Sequence, residues 1–218
     1  MTKSLLTDKQ QAFLEYFSSA CELYERFYFS GGTALSEYYL QHRFSEDLDF
    51  FSENEFVSAD LNIFLNTNKT KFGARQIQYQ QSFNRNLFFL RYADYSELKL
   101  EFTYYPFIRL EKGQKINNLQ IDSVLDIAVN KVFTLTQQAR GRDYFDIYII
   151  YLKYGFEFYD LLKKARQKFD YPINYLDLGK NLLKVSTFLD DPILTKKLNK
   201  HDMENYFLSL TREFDILK

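Results

Sequence analysis

The stretch that decides the fold runs from Phe27 to Phe51, FYFSGGTALSEYYLQHRFSEDLDFF. Its aromatic start, Phe27 to Ser30, reads as a short strand, Gly31-Gly32 as a tight turn, and TALSEYYLQHR, rich in helix formers and free of breakers, as a helix. Glu46 to Phe51 then alternates, so a strand there puts Asp47, Asp49 and Phe51 on one face and Leu48 and Phe50 on the other. Glycines let a backbone approach a phosphate, and the amides that open the next helix, with the Thr33 hydroxyl, can donate to its oxygens. A plain tight turn explains the glycines equally well. Two carboxylates at i and i+2 have Cα atoms roughly 6.5 to 7 Å apart, close enough to converge on one divalent cation or to bridge a pair.

Working outward, residues 4 to 26 place Leu5, Phe13, Phe17, Leu23 and Tyr24 at helical spacing, with Thr7 as N-cap. Downstream, 57 to 66 reads as a helix, and runs near 74 to 80, 86 to 93 and 97 to 105 read as antiparallel strands separated by turns such as Asp94-Tyr95-Ser96. In the last run Leu98, Leu100, Phe102 and Tyr104 share the core face, which leaves Lys99, Glu101 and Thr103 on the other. In-line phosphoryl transfer with two metals about 3.5 to 4 Å apart needs a third carboxylate on a neighbouring strand. Glu101 is the best-placed candidate.

From Asp122 the period changes to that of a helix, with Val124, Ala128, Val132 and Leu135 in the stripe. Lys131 falls on the stripe's edge, where its head either snorkels to water or meets an anion. Gly141 breaks the run, and RDYFDIYIIYLKYG opens another helix with Asp143 and Asp146 one turn apart on one side. Those two acids sit unfavourably together without a cation nearby, whereas Arg142 and Asp146 have the spacing of an ordinary helix ion pair. Lys131 and the Arg142 region would neutralise a triphosphate. His42 and Arg43 would suit the C-terminal end of the helix before them. The remainder, 156 to 218, is helical by pattern, punctuated by Gly155, Pro172 and Pro192.

Composition bounds the rest. The 218 residues are 46% hydrophobic and 19% aromatic, ample for a packed core. No apolar run is long enough to span a membrane, and MTKSLLTDKQQ lacks a signal peptide's core, so a cytoplasmic protein without a membrane partner is expected. Cys21 is a single cysteine and reads as a buried helix residue; His42 and His201 are too few for a zinc site unless carboxylates add ligands. Net charge is only −1, which argues against a general nucleic-acid coat, yet residues 1 to 60 carry 4 Lys/Arg against 11 Asp/Glu and residues 131 to 200 carry 13 against 8. The acidic end suits metal and the basic end suits a polyanion.

Taken together, GGTAL at Gly31 to Leu35, HRFSEDLDFF at His42 to Phe51, and Lys131 with RDYFDIY at Arg142 to Tyr148 resemble the AbiEii/AbiGii-type toxin nucleotidyltransferases, a branch of the polymerase-β-like superfamily. The resemblance implies an α+β fold: a polymerase-β-like core with a mixed sheet over residues 1–120, then a helical region over 121–218 that completes the active site. It implies Asp47 and Asp49 as catalytic metal ligands for Mg²⁺ or Mn²⁺, with Gly31, Gly32 and Thr33 near the phosphates of a nucleoside triphosphate. Lys131, Asp143 and Asp146 complete the nucleotide site, and Arg43, Ser45 and Arg142 belong with the residues that bind it. Members are typically toxins paired with an antitoxin protein, and some modify the 3′ end of tRNA, so RNA is the expected acceptor; the alternatives are transfer to a protein or small-molecule hydroxyl, or a catalytically silent domain that binds a nucleotide or a partner. The wider superfamily usually carries Gly-Ser where this chain has Gly-Gly-Thr, which displaces the hydroxyl by one position.

Overall fold

A computed structural model describes residues 3–20, 22–188 and 190–213. Cys21 lies outside the described residues. The chain is α+β and divides into two compact units, one of residues 1–39 and 45–124, the other of residues 40–44 and 125–218.

The first unit is built on a seven-stranded mixed sheet. In chain order its strands are β1 (Tyr28–Ser30), β2 (Leu48–Ser52), β3 (Gln76–Ser82), β4 (Arg85–Arg91), β5 (Glu97–Tyr104), β6 (Lys115–Ile116) and β7 (Leu119–Ile121). Their order across the sheet is β3-β4-β5-β2-β1-β7-β6. The β3-β4-β5 run is an antiparallel meander, and β2 joins β5 in parallel, with Asp49 opposite Glu101 and Phe50 opposite Phe102. Short β6 and β7, two and three residues long, have too little alternation to be read as strands from sequence.

Helix α1 (Asp8–Ala20) begins at the expected N-cap, Thr7, and Gln10 completes a reciprocal pair: the Thr7 hydroxyl accepts from the Gln10 amide at 3.2 Å while the Gln10 side chain accepts from the Thr7 amide at 2.8 Å. Phe13 and Phe17 reach the sheet, with Phe17 5.0 Å from Phe50 and 5.8 Å from Phe102, ring centre to ring centre. Phe50 and Phe102 stack at 4.8 Å across the parallel pair. This aromatic layer fixes the register of β2 against β5, because a one-residue slip would carry Phe50 to the opposite face. The opposite face of the same strands therefore carries Asp49 and Glu101.

Between β1 and β2 the chain departs from a regular helix. Helix α2 starts at Gly31 itself, spans Gly31–Ala34, and continues as a π-helical stretch, Leu35–Leu40. Helix α3 (Ser58–Asn68) precedes β3.

The second unit consists of α4 (Val124–Gln137), α5 (Gly141–Tyr154), α6 (Phe158–Phe169), α7 (Tyr175–Leu183) and α8 (Lys200–Glu213). Tyr144 stacks on Phe188 at 5.2 Å and meets Phe207 edge-on at 5.1 Å. Residues 40–44 are tied to this unit by a β-bridge from Arg43 to Leu194, and by amides of Phe44 and Thr195 donating to the carbonyls of Ile193 and His42, both at 2.9 Å. Among the described residues no helix is long and apolar enough to cross a membrane.

Candidate active site

In the first unit the predicted acids share one sheet face. Asp49 and Glu101 are direct neighbours across the parallel ladder, and Asp47 lies just ahead of β2, beside the row that holds Lys99. Asp47 is therefore not itself within the strand, as the alternation implied, but its carboxylate still reaches the same group of side chains. The Lys99 ammonium sits 2.6 Å from Asp47 Oδ2 and 3.8 Å from Glu101 Oε2. Arg85 arrives from β4 and grips Glu101 with two parallel bonds of 2.6 Å, a fork that planar guanidinium makes with carboxylate. The Thr103 hydroxyl adds a bond of 3.1 Å to Glu101.

Glu101 is on the face predicted for it, yet only 7% exposed, because Arg85 and Lys99 cover it. Burial pushes its carboxyl up, but the Arg85 bond and the fields of Arg85 and Lys99 prevail and hold it below the usual glutamate value. Glu101 is thus kept ionised. Among the described residues no group of three or more His, Cys, Asp or Glu side chains is arranged to hold a metal as it stands.

Gly31 earns its place for a reason the sequence did not reveal. Its φ of +74° is in the left-handed region, and a Cβ there would lie 2.1 Å from Asp49 Oδ2. The glycine lets the backbone pass against that carboxylate. Thr33 is buried, and its hydroxyl donates to the Asp47 carbonyl, so it secures the backbone of the first acid. Ser45 and Glu46 offer their carbonyls to the Gln10 side chain at 2.9 Å, which ties the approach to β2 to α1.

Arg43, Lys131, Asp143 and Asp146 form a buried charge cluster in the second unit. Asp146 on α5 is fully enclosed and has four donors: His42 Nε2 and Arg43 Nε on Oδ1 at 2.6 and 2.7 Å, and Arg43 Nη2 and Lys131 Nζ on Oδ2 at 2.8 and 2.6 Å. Asp143, one turn earlier, takes Lys131 at 3.0 Å and Arg140 Nε at 2.9 Å. The cation required by the paired acids is Lys131, which is buried rather than at the edge of its stripe.

Burial pushes both carboxyls up, but Lys131 with Arg140 holds Asp143 below the ordinary range, and Lys131 with Arg43 holds Asp146 well below it. Burial pushes His42 down against the opposing pull of Asp146, so the ring stays neutral at pH 7 and donates from Nε2. Arg142 is exposed, and Asp146 has Arg43 and Lys131 rather than Arg142 as its ion partners. Neither His42 nor Arg43 acts as a simple helix cap: the helix ends at Leu40, Gln41 turns with φ +53°, and both side chains turn to Asp146.

The sequence placed Lys99 beside Glu101 without a role for it, and Arg85 and Arg140 were not singled out. Lys99 was legible, since it precedes Glu101 by two residues and so shares its face. Arg85 was not, because its meeting with Glu101 depends on the cross-strand register.

The family model for the nucleotidyl transferase AbiEii toxin of type IV toxin–antitoxin systems matches residues 12–215. An uncharacterized protein of Aquifex aeolicus (strain VF5), aq_aa25, is 30% identical over 145 residues, a match spanning 66% of each chain. The crystal structure of JHP933 from Helicobacter pylori superposes with a TM-score of 0.60 at 18% identity, covering 94% of this chain and 88% of that one. A candidate nucleotidyltransferase from H. pylori gives 0.60 at 19% identity, covering 96% and 95%. At such identities the two H. pylori structures speak to the fold, while the family match extends over both units. The chain is therefore a member of the AbiEii nucleotidyl transferase toxin family, a nucleotidyltransferase by family.

Proposed function

We propose that the protein transfers a nucleoside monophosphate from a nucleoside triphosphate to the 3′ end of an RNA such as tRNA, with Mg²⁺ or Mn²⁺ held by Asp47, Asp49 and Glu101. The observation that carries this reading is the pairing of Asp49 with Glu101 on one face, with Asp47 joined to Glu101 through Lys99. Three carboxylate side chains are the hard oxygen donors that such cations take, so the donor chemistry fits. When bound, the cation supplies Lewis-acid stabilisation of the charge that develops on the phosphate.

The acceptor hydroxyl attacks the α-phosphorus, the bond from that phosphorus to the bridging oxygen breaks, and pyrophosphate leaves. Glu101, kept ionised by Arg85 and Lys99, would offer its charge to the cation together with Asp47 and Asp49. Gly31, Gly32 and Thr33 bring backbone close to the phosphates. Lys131, with Arg43, Arg142, Ser45, Asp143 and Asp146, serves the nucleotide. Within the second unit Lys131, Arg43 and Arg140 surround two carboxylates, and with His42 neutral the balance of that cluster is positive. The basic stretch from 131 to 200 suits the RNA backbone. The cellular role follows as the toxin partner of a cognate antitoxin.

Incubation of purified protein with each labelled triphosphate, Mg²⁺ and total RNA tests the reading. Label in RNA, concentrated at tRNA 3′ ends and absent with EDTA, is the expected result. Label in protein or a small hydroxyl compound, with none in RNA, overturns the acceptor.

A further inference from the structure

Asp47, Asp49 and Glu101 are like charges that all act on Arg85, and the repulsion between like charges grows as they are screened from water. Two cations offset it, and they differ in kind. Arg85 is fixed by a two-bond fork to Glu101, a geometry that resists exchange. Lys99 is a compact point charge on a flexible stem, its side chain 26% exposed, with one short contact to Asp47 at 2.6 Å and a looser one to Glu101 at 3.8 Å. The lysine bridges Asp47 and Glu101 by single-point contacts that rotation of its stem can release, whereas Arg85, although its side chain is 48% exposed, is held by two bonds to one carboxylate.

We propose that Lys99 is a resident counter-cation of the carboxylate face, so that a divalent cation binds by exchange with the Lys99 ammonium. This inference rests on the metal-dependent reading of Asp47, Asp49 and Glu101. Lys99 acts as a positioning residue: it holds Asp47 towards Glu101 before metal arrives and sets a threshold for metal affinity. Arg85 keeps Glu101 in place throughout.

The test is Mn²⁺ binding to the full chain without nucleotide, by calorimetry, in the native protein and in Lys99→Met, Lys99→Arg and Asp49→Asn, with melting temperature recorded in EDTA and in Mn²⁺. Removal of the competing charge is expected to tighten Mn²⁺ binding roughly tenfold in Lys99→Met. Lys99→Arg keeps the charge and is expected to show no such tightening. Lys99→Met is also expected to melt lower than the native protein in EDTA and to regain the difference in Mn²⁺, a recovery that shows it folded. Unchanged or weaker Mn²⁺ binding in Lys99→Met, with binding lost in Asp49→Asn, overturns the exchange and leaves the metal reading standing. Absence of Mn²⁺ binding in every form overturns the metal reading and the exchange together.

Discussion

Asp49 of β2 and Glu101 of β5 are paired residues of a parallel ladder, and Gly31 presses against the first of them while Arg85 grips the second. Two acids far apart in sequence become neighbours because Phe50 and Phe102, one residue on from each, stack at 4.8 Å on the opposite face. The packing of the core thereby sets the geometry of the polar face.

Gly31 is where that dependence is sharpest. Gly31→Ala places a methyl where Asp49 Oδ2 now lies and forces a side chain onto a φ of +74°. The variant is expected to lose more than about 1 kcal/mol in urea denaturation, beyond the effect of an ordinary glycine replacement. Its transfer activity is expected to fall as far as that of a variant lacking the Asp49 carboxylate. Native activity in a stably folded Gly31→Ala would show that the close approach has no role.

Glu101→Gln tests the third acid. It keeps shape and one acceptor but gives up the charge that Arg85 and Lys99 hold. A loss of about 100-fold or more in kcat is expected, with the fold retained by circular dichroism. A loss confined to KM would place Glu101 in substrate binding instead.

The cluster around Asp146 is expected to matter first for stability. Asp146→Ala leaves Lys131 and Arg43 buried without their shared carboxylate, and such breakage costs about 3–5 kcal/mol. Denaturation midpoints measured in urea check this. A change below about 1 kcal/mol would mean that the cluster opens to water on its own.

Its pH dependence has a definite sign. Asp143 and Asp146 have folded values below the ordinary carboxylate value near 3.9, so the unfolded chain takes up their protons first. His42 likewise lies below its ordinary 6.5 when folded. Both contributions are present above the unfolded values and lost as pH falls through the folded ones. Stability is expected to begin to decline below about pH 6.5 and to fall again below about pH 4. His42→Gln is expected to remove the upper limb, as read from urea midpoints across pH.

Much of this architecture was legible in the sequence. Alternation in LKLEFTYY assigned Glu101 to the face opposite Leu100 and Phe102, and the glycine pair marked the end of β1. What the sequence withheld depends on contacts between distant residues. Lys131 lay at the edge of an amphipathic stripe, where periodicity cannot distinguish a solvated lysine from one enclosed by Asp143 and Asp146. The spacing of Arg142 and Asp146 suggested a local pair, but His42 and Arg43, about a hundred residues earlier, claim Asp146 instead. The π-helical stretch before them has no simple compositional mark. Strands of two and three residues, β6 and β7, are too short to carry a period.

The central claim is that the Asp47, Asp49 and Glu101 face carries nucleotidyl transfer. Its most direct test is the initial rate of labelled-nucleotide transfer in Mg²⁺ by Asp49→Asn against the native protein, with equal folding established by melting. A drop of about 100-fold or more is expected, since the substitution removes a charge from the proposed metal ligands and little else. Full activity in a folded Asp49→Asn would contradict the account.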